Sequence, residues 1–193
     1  MGVIPKLLLV ATLLLAISGC SATGGARPNE KIEIKAAGDS YSLSVPVSRL
    51  TMTLPKNNWS PKVKSIGGAT DNPRYFYFED KKGASSILSG WFEPDRSFKG
   101  MRTQWDSDTQ AWKKQGLPEP TNVSFEKQGR WDTVMYDHNL GNVVSSHLRA
   151  HWVQAGTWID LHISTTTVRS SAENRKNLKA LLSSISISEK DGG

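Results

Sequence analysis

Two long runs of alternating apolar and polar residues, Val143–Gln154 and Thr157–Thr165, are separated by only Ala155 and Gly156. A two-residue link between alternating segments makes a β-hairpin, and the turn fixes the register of every pair. Counting outward, Gln154 pairs with Thr157, Val153 with Trp158 and Trp152 with Ile159. One face then carries Leu148, Ala150, Trp152, Ile159, Leu161 and Ile163, and is predicted to face a core. The other carries His147, Arg149, His151, Asp160 and His162, with His151 opposite Asp160 and Arg149 opposite His162.

Three imidazoles and a carboxylate are the right ligand types for zinc, and His147 and His151 lie two strand steps apart, at the edge of chelating reach. This makes His147, His151, Asp160 and His162 candidate metal ligands. Arg149 stands between the histidines with a charge that opposes a cation, and no flanking Cys or Glu motif accompanies them. The alternative is the polar side of a half-solvated antiparallel sheet, held by cross-strand pairs worth a few tenths of a kcal/mol each. That alternative needs no cofactor, and none is expected.

The remaining segments fall into place around the hairpin. Tyr41, Leu43 and Val45 alternate with serines, and Leu50, Met52 and Leu54 repeat the pattern, giving two strands. Arg74–Glu79 and Ser86–Glu93 read as a second hairpin around Lys81 to Gly83. The period then changes: Phe98, Met101, Trp105 and Trp112 share a helical face, predicting a helix over Phe98–Gln115 that Gly116 and Pro118 stop. Strands are expected over Asn122–Lys127 and Asp132–His138. Ser170 and Glu173 form a capping box ahead of Leu178, Leu181, Leu182 and Ile185, predicting a helix over Ser171–Ser184. Ile185 and Ile187 are spaced for a short last strand. The fold class is therefore α+β, an antiparallel sheet with a long middle helix and a C-terminal helix.

The beginning of the chain is of another kind. Met1 to Lys6 is a short positive start, Leu7 to Ile17 is an apolar run broken only by Thr12, and the small residues Ser18 and Gly19 precede Cys20. This is the pattern of a secretory signal, and the run falls short of the roughly 20 apolar residues a membrane span needs. Ile17-Ser18-Gly19-Cys20 resembles a bacterial lipobox. The resemblance implies cleavage before Cys20, a thioether-linked diacylglycerol on its sulfur and an acylated new amino terminus, a firm anchor because it carries more than one chain. Cys20 is the only cysteine, so no intramolecular disulfide staples the fold. Ser21 in place of Asp implies, by resemblance to enterobacterial lipoproteins, the outer rather than the inner membrane. Four segments are expected: a signal over 1–19, lipidated Cys20 with a flexible Gly- and Ala-rich tether over 20–39, one globular domain over 40–188, and a polar tail over 189–193.

The order of elements, with Leu54-Pro55 before Trp59, Gly156-Thr157-Trp158, and Leu181-Leu182-Ser183-Ser184-Ile185, resembles the PsbP-like α/β/α sandwich, including DcrB-like envelope lipoproteins, over about Ser40 to Ser188. The resemblance implies a binding or assembly role on the periplasmic side and carries no functional residue across.

Other functions find less support. The charge of +6 falls to +5 when residues 1–19 and their one Lys are removed, but the Lys and Arg are scattered, so nucleic acid is not an expected partner. An anionic lipid or polymer surface fits better. No Gly-x-Ser-x-Gly elbow is present. Glu79, Asp80, Glu93 and Asp95 flank turns and receive no role, and Gly67-Gly68 lacks the residues of a phosphate cradle. Of the seven tryptophans, Trp105 and Trp112 belong to the helix's packing stripe. Trp59, Trp91, Trp131 and Trp158 fall outside the clearest core pattern and are candidates for exposed contact with a partner, glycan or membrane. The expected function is a membrane-anchored envelope lipoprotein with a non-catalytic binding or accessory role, its partner an unidentified envelope protein or polymer. The alternative is a metal-dependent or glycan-active protein using the histidine face.

Overall fold

The computed structural model describes residues 30–56, 59–62, 72–80, 85–168 and 171–190. Cys20 with its lipobox, the signal, the 81–84 link, Ser170 of the capping box and the last three residues lie outside them.

Among the described residues the chain forms β1 (Glu33–Ala37), β2 (Ser40–Ser44), β3 (Leu50–Pro55), β4 (Trp59–Pro61), β5 (Tyr75–Asp80), β6 (Ser86–Pro94), α1 (Met101–Lys114), β7 (Thr121–Gln128), β8 (Trp131–Leu140), β9 (Val143–Gln154), β10 (Thr157–Thr167), α2 (Ser171–Ser183) and β11 (Ser186–Glu189). The strands make two antiparallel sheets. The small one has the order β1-β2-β3-β11 and the large one β4-β5-β6-β10-β9-β8-β7.

The alternation of Tyr41 and Leu43, and of Leu50, Met52 and Leu54, with Ser and Thr leaves the small sheet one apolar face. It buries that face against Phe76, Phe78, Leu88, Leu148, Ile159 and Leu161 of the large sheet, and Leu178 and Leu182 of α2 complete the core. The opposite face of the large sheet carries α1, whose Met101, Trp105 and Trp112 pack on Val134 and Tyr136. With cover on both sides, nine successive residues of β10 are buried, which is why its sequence is apolar on one face and yet not solvent-facing on the other.

The β9–β10 register is the one the sequence predicts, His151 opposite Asp160 and Arg149 opposite His162. Ala155 and Gly156 both have positive φ, 48° and 75°, the conformation of a type I′ turn, whose twist matches the strands it joins.

The expected α/β/α sandwich is overturned. The described residues are mostly strand, in sheets of four and seven strands, and the two helices are short. The middle helix runs over 14 residues rather than Phe98–Gln115, and at about 1.5 Å per residue it is roughly 21 Å long. Seven strands about 4.8 Å apart make a sheet roughly 29 Å wide, so α1 cannot form a layer over it. On the other face most of the cover is a second sheet. Part of that sheet comes from the stretch read as tether, because Glu33–Ala37 is β1, paired along its length with β2.

Candidate functional site

Antiparallel partners point to the same side of a sheet, so the β9–β10 register puts His147, Arg149, His151, Asp160 and His162 on one face. β8 adds Tyr136 opposite His147 and His138 opposite Ser145, and β6 adds Trp91 opposite Asp160. All four histidines of the chain therefore meet here. The face is not half-solvated as the sequence suggested. Every one of the five residues is buried, down to 1 % exposure at His151, because α1 and Phe98 lie on top of them.

The centre is Arg149. Its Nε and Nη2 donate to the two carboxylate oxygens of Asp160, at 2.8 and 2.5 Å, and its Nη1 donates to Asp108 on α1. Burial by itself would raise the Asp160 carboxyl, but the adjoining Arg149 guanidinium, followed by His151, outweighs it and holds Asp160 well below the usual carboxylate range. His151 Nε2 lies 3.2 Å from Asp160 Oδ1 without the alignment of a hydrogen bond, and Phe98 stands edge-on to the ring at 5.2 Å.

Beside this ion cluster runs a chain of neutral groups. Thr166 Oγ1 and Ser145 Oγ are 2.9 Å apart, Ser145 Oγ and His147 Nε2 3.0 Å, and His147 Nδ1 and His162 Nε2 3.1 Å. Tyr136, His147 and His162 stack, with centroids 4.7 and 5.3 Å apart. Burial pushes the His147 pKa well below the ordinary value, and His162 and His138 push in the same direction. Burial and the neighbouring Arg149 bring His162 down to about 4. Both rings are therefore neutral at neutral pH, so one nitrogen of the pair donates to the other.

The candidate metal ligands are brought together but not aimed at a common point. Asp160 is occupied by Arg149, and His147 and His162 bond each other. No group of three or more His, Cys, Asp or Glu among the described residues is arranged to hold a metal ion. The space left beneath α1, between Trp91, Trp105, Trp112 and His162, is about 10 Å³, room for no more than one water. The sequence carries one sign of this closure. Asp108 shares the α1 stripe with Met101, Trp105 and Trp112, and a carboxylate on an apolar stripe calls for a buried cation opposite it.

The tryptophans proposed for exposed contact are also placed differently. Trp59, Trp131 and Trp158 are buried, and Trp91 is half-buried against Tyr75 at 4.8 Å.

A larger concave feature lies on the other face of the large sheet, between the end of β10 and α2. It is a groove of about 310 Å³ whose walls include Trp59, Ser86, Ile163, Thr165, Asn177 and Leu181. α2 is fixed there by polar contacts. Ser171 Oγ donates to Asp137 Oδ2 at 2.6 Å, and buried Asn174 accepts from Thr167 Oγ1 at 3.0 Å and donates to Ser146 Oγ at 3.3 Å. In the sequence this groove is marked by no more than Asn174 and Asn177, which lie at helical spacing beside Leu178 and Leu181 on α2.

No protein-family model matches the chain, and no curated protein matches it in sequence. A solved structure from Bacteroides thetaiotaomicron VPI-5482 is similar with a TM-score of 0.45 and 11 % identity, over 75 % of this chain and 47 % of that one. The chain thus spans about half the length of that neighbour. No helix of the described residues is long and apolar enough to cross a membrane.

Proposed function

We propose that the chain is a lipid-anchored envelope protein, held by acylated Cys20 and facing the periplasm from the outer membrane, whose two-sheet domain binds or supports another envelope component without catalysing a reaction. The observation that carries the non-catalytic half is the closure of the histidine face. Arg149 ties Asp160 to Asp108 of α1, and His147 and His162 bond each other, under a helix that leaves no room for a substrate. The lipobox ending at Cys20 supports the anchored half, and the groove beside α2 supplies a concave surface for binding.

Intact mass of protein purified from membranes tests the anchor. A mature chain beginning at diacylglyceryl-modified and acylated Cys20, with the modification and membrane retention lost in Cys20→Ala, is the expected result. An unmodified chain in the membrane fraction would overturn the anchor. Turnover of envelope glycans, peptides or esters by the same preparation would overturn the non-catalytic reading.

A further inference from the structure

From Glu30 onward the chain is held at the end of the large sheet where β9 turns into β10. Ile32 donates its backbone N–H to the Pro73 carbonyl, and Arg74 pairs with Glu30 at 3.2 Å and with Glu93 at 3.7 Å. Glu93 stands opposite Trp158, the second residue of β10. The β2–β3 link is tied to the same end, because Ser48 Oγ and Thr157 Oγ1 are 2.8 Å apart. The turn after β6 joins it through the Asp95 N–H, which donates to the Gly156 carbonyl, and the β7–β8 turn places Arg130 over the Trp152 ring at 4.8 Å.

Most acids at this end already have a cation: Glu30 and Glu93 share Arg74, Glu189 pairs with Arg49, and Asp132 with Lys127. Beyond those pairs stand exposed Lys31, Arg96, Lys99 and Arg130, with Asp95 as the acid among them. Two apolar side chains, Val47 and Val153, are exposed at the same end. Cations around a few apolar groups suit the surface of a bilayer. Its phosphates attract Lys and Arg within a Debye length, about 8–10 Å near physiological salt, and the layer below accepts small apolar side chains.

The opposite end also exposes apolar residues, Leu140 and Val168. It lies the length of β10 away, 11 residues at about 3.3 Å each, or roughly 33 Å between the end residues. The chain from Glu30 back to Cys20 covers that distance only when drawn nearly straight, and any turn within it shortens the reach.

We propose that the end of the domain bearing Lys31, Val47, Arg96, Lys99, Arg130 and Val153 rests on the bilayer that holds Cys20, its cations against anionic phospholipid headgroups. The proposal rests on the lipid-anchored reading and adds how the domain stands. The groove between α2 and the far part of β10, around Ile163 and Thr165, is then lifted clear of the membrane, open to a partner.

The test uses the full acylated protein with one introduced cysteine at a time: Val47→Cys, Val153→Cys, Leu140→Cys or Val168→Cys, all at exposed positions. The sulfur of lipidated Cys20 is a thioether, so a maleimide fluorophore reacts with the introduced thiol alone. Each labelled protein is reconstituted into vesicles of phosphatidylethanolamine and phosphatidylglycerol that carry a nitroxide on the headgroup, and quenching is read site by site. Quenching at positions 47 and 153 several-fold above that at 140 and 168 is the expected result. The combined change Lys31→Glu, Arg96→Glu and Lys99→Glu, at exposed sites that leave the circular dichroism spectrum unaltered, should erase the difference. Equal quenching at all four positions, stronger quenching at 140 and 168, or a pattern that survives the triple change would each overturn the proposal. Intact mass of the same sample separates the two readings. An unmodified Cys20 overturns the anchor and this proposal with it, whereas acylated protein with the wrong pattern overturns the orientation alone.

Discussion

Arg149 reaches two carboxylates that belong to different elements, Asp160 on the neighbouring strand and Asp108 on the helix above. Replacing it by Met strands buried Asp160 and half-buried Asp108 and should lower stability by about 3–5 kcal/mol, read as a reduced urea midpoint. The triple change Asp108→Leu, Arg149→Met, Asp160→Leu removes the whole cluster and should restore most of that loss, since apolar replacement of a buried ion group is often neutral or stabilising. The histidines add a pH dependence whose sign follows from the folded state's preference for neutral rings. An unfolded His takes up a proton near pH 6.5, whereas His162 in the fold does so only near pH 4. Its contribution is therefore intact above about pH 6.5 and is lost as pH falls toward 4, by about 3 kcal/mol at most. His147, lowered by the same burial, extends the loss, and Asp160 loses its own contribution below the usual carboxylate range. Unfolding midpoints measured between pH 7 and pH 4 should fall accordingly, and His162→Gln should flatten the curve.

Two backbone positions govern how the strands meet. Ala155 sits at φ 48° in the type I′ turn, a region that costs an ordinary L-residue about 1–2 kcal/mol and that Asn tolerates. Ala155→Asn should raise the thermal midpoint by several degrees, equivalent to about 1 kcal/mol. Gly90 is the opposite case: a Cβ there would lie 2.1 Å from the Asp160 carbonyl oxygen and 2.7 Å from the Phe76 ring. Gly90→Ala should cost about 3 kcal/mol by prising β6 from β10. Alternation about a two-residue turn made the β9–β10 register legible from sequence, and helical spacing did the same for α2, because each places its apolar side chains on one face toward the core. β1 was not legible: of its five residues only Ile34 is even half-buried, so Glu33–Ala37 carries no periodic signal and resembles linker. The polar face was half legible. Turn geometry determines which side chains share it, but only Asp108 on the α1 stripe indicates what lies above.

At the scale of the molecule, the two sheets share one apolar core, with Leu43, Met52 and Leu54 from one and Phe78, Leu148 and Leu161 from the other. Neither can expose its face while the other stays folded, so denaturant unfolding should be a single transition in which near- and far-ultraviolet circular dichroism coincide. Separate midpoints would show that the small sheet melts alone. Assembly of those strands into a second sheet was not legible, because alternation identifies a buried face without identifying what buries it. The groove was not legible for a related reason: its wall is built from four strands and a helix distant in sequence, none with a motif of its own. The entry of the chain into the fold has a consequence for reach. Ile32 donates its backbone N–H to the Pro73 carbonyl, and Glu30 pairs with Arg74 at 3.2 Å, so the domain holds its chain from that point onward. Ten residue steps separate Glu30 from Cys20, and a fully extended chain spans at most about 3.6 Å per step. With the lipid in place, the attachment corner of the domain is leashed within roughly 36 Å of the bilayer surface, and whatever it binds must come to that thin shell to be met.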